Sequence, residues 1–330
     1  MGSSTFKILA LVFLARTAAA QELEQPDTTQ IPRGPQHVAG QVVRPGKDKM
    51  LPVPNVYVTL HRVGTDHAAP LDSVRADDAG HYAFDFRRSG EPGAIYFVSA
   101  MYGGVAYFTP PLQHSTVTGE EAEIAVFDTT SGPVPISIRG HHVIVSAVDV
   151  NAERSVTEVF ELANDSSVTR VPSASGSAVW SSLLPAGAKS FKVTQGDVPS
   201  AAIKFEDGKA QVYAPLAPGL KQIAITYSMP ARNFPMSIPV VKETQIFEVL
   251  IEEQQGSVTA PQVKEVEPVA LEKRSFRRFL GPDVPAGSIV TIDLAAAEKK
   301  TDIDPKFMVA LTVIIGGAMV FALARALKRR

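Results

Sequence analysis

The sequence predicts an all-β ectodomain of two tandem β-sandwiches, followed by one C-terminal transmembrane helix. Short runs that alternate apolar and polar residues recur about every 10 to 15 residues, with turn signals between them. The chain has 25 prolines and 23 glycines, and almost no helical periodicity before residue 295, which favours strands and turns. A single uncharged apolar run near the C-terminus departs from this pattern.

Residues 1–20 have the pattern of a secretory signal peptide. Lys7 precedes an apolar core over residues 8–15, and Ala18 and Ala20 occupy positions −3 and −1 before Gln21. This core is too short to cross a bilayer, and its alanine-rich end favours a bacterial protein exported to the periplasm. Whether the peptide is cleaved stays open. Residues 21–36 are polar and interrupted by prolines, and we expect a flexible N-terminus there.

Residues 37–118 are predicted to form the first sandwich. An Asp77-Asp78-Ala79-Gly80 turn suits a hairpin, because Asp and Gly tolerate the backbone angles that tight turns require. The predicted strands cover residues 38–43, 55–60, 71–76, 82–86, 94–102 and 105–108.

These strands carry a family resemblance. The motifs are Gly40-x-Val42, then Pro54-Asn55-Val56-x-Val58, then Ala76-Asp77-x-x-Gly80-x-Tyr82-x-Phe84. In this order they resemble the carboxypeptidase regulatory-like domain, a transthyretin-like β-sandwich, over roughly residues 37–113. The chain departs from the family pattern at Ala76, where Thr is common. The resemblance implies a folding or docking module without peptidase chemistry, and it transfers no catalytic residue.

Residues 119–252 are predicted to form the second sandwich, for which an immunoglobulin-like architecture is favoured and barrel variants stay open. Residues 156–162 alternate as a half-buried strand does. Residues 253–305 form a strand-containing, membrane-proximal segment, with strands expected at 257–266 and 288–294. The strands expected in the second sandwich cover residues 123–127, 143–150, 155–163, 190–193, 201–205, 211–213, 222–228 and 244–251.

Residues 306–326 are predicted to form the transmembrane helix. The 18 uncharged residues 307–324 would make a helix of about 27 Å, enough to cross a bilayer core. Basic residues at 325 and 328–330 place the tail, residues 327–330, in the cytoplasm. We therefore expect a single-pass inner-membrane protein with its ectodomain in the periplasm. Gly316 and Gly317 would allow a neighbouring helix to pack closely.

Composition excludes several classes of function. The chain has no cysteine, which removes thiol nucleophiles and cysteine-ligated metals. The net charge of −2 makes nucleic acid an unfavourable partner. No nucleotide-binding motif is present, so we expect no cofactor and identify no small-molecule substrate. His141 and His142 are adjacent, and on a strand they would point to opposite faces, which favours structural roles over a shared metal.

Two segments are candidates for contact with a partner. The first is an aromatic, proline-lined patch around Gly103-Gly104, although strand aromatics more often pack into a core. The second is a basic segment that could contact anionic headgroups or an acidic partner, or could be a solvated strand face. The candidate contact residues are Tyr102, Tyr107 and Phe108 in the first, and Lys273, Arg274, Phe276, Arg277 and Arg278 in the second.

The sequence thus favours a non-enzymatic interaction or accessory subunit. We expect its partners to be other membrane proteins in a multi-subunit complex and the lipid bilayer itself. One alternative is a surface adhesin or carbohydrate-binding protein. Another is a metal-dependent enzyme or sensor that uses His141 or His142.

Overall fold

The computed structural model describes residues 34–194, 196–271 and 274–294. Within these ranges the chain forms strands and three 3₁₀ turns, which confirms the predicted all-β class. Their helical segments include none of the length and apolarity that a bilayer crossing demands. The predicted signal peptide, transmembrane helix with Gly316 and Gly317, and cytoplasmic tail lie outside the described residues. The 3₁₀ turns are Gly119–Ala122, Ser200–Ala202 and Ala231–Asn233.

The first sandwich consists of two sheets that enclose one apolar core. One sheet has the order β2-β1-β5, with β8 and β9 added to β1 in parallel, and the other has the order β4-β3-β6-β7. β3 and β5 bury alternate residues, as a sheet with one packed face requires. The strands are β1 (Pro35–Pro45), β2 (Met50–Pro52), β3 (Tyr57–Val63), β4 (Ala68–Arg75), β5 (His81–Arg87), β6 (Ile95–Tyr102), β7 (Val105–Phe108), β8 (Thr116–Thr118) and β9 (Ile124–Ala125).

The second sandwich is larger. Its strands are β10 (Thr129–Thr130), β11 (Ile136–Val145), β12 (Glu153–Asn164), β13 (Thr169–Arg170), β14 (Trp180–Leu183), β15 (Lys189–Val193), β16 (Ile203–Glu206), β17 (Lys209–Val212), β18 (Gly219–Pro230), β19 (Met236–Pro239), β20 (Thr244–Ile251), β21 (Ser257–Thr259), β22 (Lys264–Leu271), β23 (Arg274–Val284) and β24 (Ile289–Asp293).

A seven-stranded sheet, β15-β18-β12-β11-β20-β23-β22, forms one layer of this sandwich. Its inner face packs against two three-stranded sheets, β14-β17-β16 and β19-β24-β21, and apolar residues from all three sheets make one core. The seven-stranded sheet is mixed, because β11 pairs with β20 in parallel and with β12 in antiparallel register. This sheet alone has as many strands as an entire constant-type immunoglobulin domain.

The central strand β11 contains a bulge. Its register with β12 shifts between Ile138 and Gly140, so Arg139 is the extra residue. Beyond the bulge, His141 lies opposite Phe160 and His142 opposite Val159. Since bulges re-aim the side chains that follow them, this shift sets the sheet face on which each histidine lies.

Each sandwich includes residues beyond the boundary predicted for it from the sequence. Ala122, Ile124 and Val126 belong to the core of the first sandwich, beyond residue 118. β22 and β23 extend the seven-stranded sheet of the second sandwich, while β21 and β24 complete one of its small sheets. The part of residues 253–305 that the structure describes is therefore continuous with the second sandwich.

Candidate docking surface

The outer face of the sheet β4-β3-β6-β7 carries a cluster of apolar and aromatic side chains. Cross-strand register places His61 opposite Phe97, Val63 opposite Ile95, and Ser99 opposite Phe108. Because side chains alternate along a strand, residues between these, such as Leu60 and Val98, point into the core instead. We call this cluster the aromatic face, and it comprises Tyr57, His61, Val63, Ile95, Phe97, Met101 and Phe108.

The aromatic face is open to solvent. Tyr57 is 54% exposed and Phe108 is 57% exposed. Of the twelve large hydrophobic residues that are exposed in the described part of the chain, five lie on this one face. Single exposed hydrophobic residues are ordinary, whereas a contiguous cluster marks a contact surface.

Ring contacts hold the centre of the aromatic face in place. His61 stacks on Phe97 with ring centroids 5.1 Å apart, and Phe97 meets Phe108 edge-on at 5.6 Å. A hydrogen bond of 2.8 Å joins His61 Nε2 and Ser99 Oγ. Burial lowers the pKa of His61, so its imidazole is neutral at neutral pH and adds no charge to the surface. The cluster is therefore pre-organised for an apolar contact.

The rim of the aromatic face carries a positive charge. The guanidinium of Arg75 lies over the Tyr57 ring, 3.9 Å from its centroid, and also donates to the Asn55 carbonyl. The charge of Arg75 therefore lies against an aromatic ring at the edge of the face.

The structure places the three residues of the predicted aromatic patch in different surroundings. Phe108 is on the aromatic face, but Tyr107 is 6% exposed and points into the core. The Tyr107 hydroxyl donates to the Phe127 carbonyl at 3.0 Å and lies 2.8 Å from Thr169 Oγ1. Tyr102 is half-buried and donates to Asp128 Oδ1 at 2.8 Å. Tyr107 therefore cannot contact a partner in this fold, and strand alternation between Tyr107 and Phe108 is the reason.

Sequence reasoning missed most of the aromatic face. Tyr57, Ile95 and Met101 lie in strands that were predicted, at positions that alternate with core residues, whereas Val63 lies beyond residue 60, where the predicted strand ends. The available signal was that both alternating sets of β6 are largely apolar, since Ile95, Phe97 and Met101 alternate with the core residues of that strand. A strand with one solvent-facing side usually carries polar residues on that side, so a second apolar set in one strand is a signal of an exposed apolar cluster.

The predicted basic segment forms strand β23, apart from Lys273, which lies outside the described residues. Its three arginines each face an acid, and its phenylalanine Phe276 is 1% exposed, which corrects the prediction that Phe276 anchors a headgroup or partner contact. The pairs are Arg274 with Glu252 at 3.1 Å, Arg277 with Glu265 at 2.8 Å, and Arg278 with Glu248 at 2.5 Å.

The adjacent histidines lie on opposite faces of the seven-stranded sheet. His141 Nε2 is 2.6 Å from Glu158 Oε2 on the inner face, and Glu158 also accepts from the Tyr227 hydroxyl at 2.7 Å. His142 Nδ1 is 2.7 Å from Glu248 Oε2 on the outer face. The two imidazoles therefore share no ligand. Over residues 34–194, 196–271 and 274–294, no group of three or more histidine or acidic side chains is arranged to hold a metal ion.

Comparison with known proteins adds little to this geometry. No protein family model matches the chain. No curated protein matches it in sequence. Similar solved structures include an M1 zinc metallopeptidase from Deinococcus radiodurans, with 12% identity, a TM-score of 0.32, and coverage of 50% of this chain and 43% of that chain. A two-domain form of such an enzyme, bound to L-arginine, matches with 10% identity, a TM-score of 0.29, and coverage of 48% of this chain and 42% of that chain. The chain thus spans less than half the length of these enzymes, and we draw no functional argument from similarity at this level.

Proposed function

We propose that this chain is a non-enzymatic, membrane-anchored interaction subunit whose first sandwich docks on another membrane protein through the aromatic face. The observation that supports this function is the exposed cluster on a rigid sheet, centred on Phe97 and Phe108. Aromatic side chains with few rotatable bonds are the usual anchors of protein interfaces. The partner surface is apolar at its centre and acidic opposite Arg75.

The edges of the sheet favour docking by its face over addition of a strand. β4 contains Pro70 and, among the described strands, pairs only with β3, and β7 is followed by Pro110 and Pro111. Proline removes a backbone donor and blocks further pairing at an edge. A partner therefore meets side chains rather than the backbone of this sheet.

The domain types and the membrane location are parts of this proposal. The motifs from Gly40 to Phe84 resemble the carboxypeptidase regulatory-like domain, which suits a docking module, and we propose an immunoglobulin-like architecture for the second sandwich. A transmembrane helix at residues 306–326 would confine the ectodomain to the periplasmic surface of the inner membrane. Confinement raises the effective concentration of the docking face toward a membrane partner.

Site-directed photo-crosslinking in intact membranes tests this function. A photoreactive phenylalanine analogue replaces Phe108 or Met101 on the aromatic face, and Val150, which is exposed on the second sandwich, serves as the control position. We expect one discrete protein adduct from Phe108 and Met101 and none from Val150. A second substitution, Ile95→Asp, should weaken the adduct at least tenfold, because it places a charge in the apolar contact.

The alternatives give different results in the same experiment. Adducts with lipid alone, adducts with a second copy of this chain, or equal labelling from Val150 would each overturn docking on a different membrane protein. A melting temperature of Ile95→Asp close to that of the parent chain shows that loss of the adduct does not come from unfolding. Ile95 is half-exposed, so we expect the variant to fold.

A further inference from the structure

A second site lies in the second sandwich, away from the aromatic face. A cavity of about 360 Å³ opens between β11, β12 and β14 and the chain that links β19 to β20. Its volume is at the lower end of the range for small-molecule sites. Apolar and polar groups both line it, and the apolar side chains include Ile138, Phe160, Trp180 and Val240.

The aromatic wall of this cavity is fixed by its own contacts. The ring of Trp180 meets Phe160 edge-on with centroids 4.9 Å apart, and His141 stacks on Phe160 with centroids 4.2 Å apart. The hydrogen bond from His141 Nε2 to Glu158 holds that imidazole in place. A wall that is already ordered costs little conformational entropy when a ligand binds.

The charged residues that line the cavity are all basic. Arg170 and Lys242 line the cavity, together with hydroxyl groups of Ser181, Ser182 and Thr244, and no acidic residue lines it. Arg170 donates to the Gly132 carbonyl, and Lys242 Nζ donates to the Ile136 carbonyl at 3.2 Å. Among the ion pairs of the described residues, neither cation pairs with a carboxylate. Both charges are therefore available to an anion, while carbonyl contacts hold them at the cavity.

We infer that this cavity binds a small organic anion, a carboxylate or sulfonate carried on an apolar body. The apolar body packs against Trp180 and Phe160, and the anionic group pairs with Arg170 and Lys242. An apolar pocket with a few convergent polar groups is the usual form of such a site. Charge-assisted hydrogen bonds from the two cations supply the preference for an anion over a neutral molecule.

The single tryptophan of the chain reports on this site directly, because Trp180 is part of the wall. The probe is phenylacetate, and phenylacetamide is its neutral control of nearly equal shape. Titration of the full chain in lipid nanodiscs should give a saturable change in Trp180 emission with phenylacetate. Phenylacetamide should bind at least tenfold more weakly, since it lacks the charge that Arg170 and Lys242 recognise.

Two variants test the assignment of the cations. The double variant Arg170→Gln, Lys242→Gln should weaken phenylacetate binding at least tenfold while leaving phenylacetamide unchanged. Lys264→Gln, on exposed β22 outside the lining, should bind as the parent does. Circular dichroism verifies that each variant is folded. No saturable emission change, equal binding of the two probes, or unchanged binding by the double variant would overturn the inference.

Discussion

Glu161 is a buried carboxylate that is only half satisfied. Its side chain is 0% exposed, and Oε1 accepts a hydrogen bond of 3.0 Å from Gln222 Nε2. Within the described residues, Glu161 Oε2 and His142 Nε2 both lack hydrogen-bond partners, and both lie beside Gly140. Burial raises the pKa of Glu161, against the opposing effects of His142 and Gln222. The folded chain thus binds a proton at Glu161 more tightly than the unfolded chain does.

A raised pKa makes the stability of the fold depend on pH. The contribution of Glu161 is fully present below its ordinary pKa of 4.5, and the free energy of unfolding falls as pH rises toward the folded-state pKa. We predict that Glu161→Gln is more stable than the parent at neutral pH by about 1–3 kcal/mol, because a buried amide stays neutral and avoids the cost of burying a charge. Thermal unfolding followed by circular dichroism from pH 4 to 8 measures this difference.

The difference between Glu161→Gln and the parent should shrink toward pH 4, where the parent carboxyl is protonated. Glu267→Gln is the matched control, because Glu267 is exposed on β22. A Glu161→Gln variant that is less stable than the parent at every pH would show that the charged carboxylate stabilises the fold.

At the scale of elements, prediction from sequence succeeded where pairing is local. Most strands of the first sandwich were predicted because hairpin turns separate alternating runs. Strand β23 was not predicted, because the basic residues Arg277 and Arg278 are typical of a solvent-exposed charged segment. Their partners Glu265 and Glu248 come from the neighbouring strands β22 and β20, and strand adjacency of this kind is absent from local patterns.

The start of β11 and the strand β14 were missed for related reasons. β11 begins at Ile136, seven residues before the predicted start, because the polar stretch Gly140-His141-His142 is buried beside carboxylates. β14 covers only Trp180–Leu183, inside a serine-rich segment typical of a loop. The aromatic wall of the cavity could not be predicted from the sequence either, because Trp180 and Phe160 lie on different strands and come into contact only in the folded sandwich.

Gly40 fixes the position of the segment that follows β8. A Cβ added at Gly40 would lie 1.9 Å from the carbonyl oxygen of Ala122, in the 3₁₀ turn that packs on β1. The Tyr82 hydroxyl donates to this same carbonyl at 2.5 Å. The backbone of Ala122 cannot move aside as a flexible side chain can. Any side chain at position 40 must therefore displace the turn from β1.

We predict that Gly40→Ala destabilises the fold by about 1–3 kcal/mol, the usual cost of overpacking. Gly93→Ala is the matched control, because its added Cβ would lie 3.6 Å from the nearest atom, an ordinary contact. Urea denaturation of both variants measures the difference in the free energy of unfolding. Equal stability of the two variants would mean that the turn is not held against β1.

At the scale of the whole molecule, the two sandwiches share contacts. Val171 and Ala217, from the chain around the second sandwich, pack against the core of the first. The Tyr107 hydroxyl reaches Thr169, and β10 pairs with β13 in parallel just beyond the first sandwich. Apolar and hydrogen-bonded contacts of this kind couple the folding of neighbouring domains. We therefore expect the first sandwich, with its aromatic face, and the second sandwich to behave as one folded unit.

We predict that the two sandwiches of the full chain unfold in one transition. Trp180 is the only tryptophan, so its fluorescence reports the second sandwich alone, whereas far-ultraviolet circular dichroism reports both. Coincident melting curves from these two probes are the mark of a single cooperative unit. In Val171→Asp the curves should separate, because a charge at this partly buried contact uncouples the first core. Val150→Asp, at an exposed position, should keep them coincident. If the curves of the parent chain already differ, the shared contacts are too weak to couple the domains, and the docking face moves independently of the second sandwich.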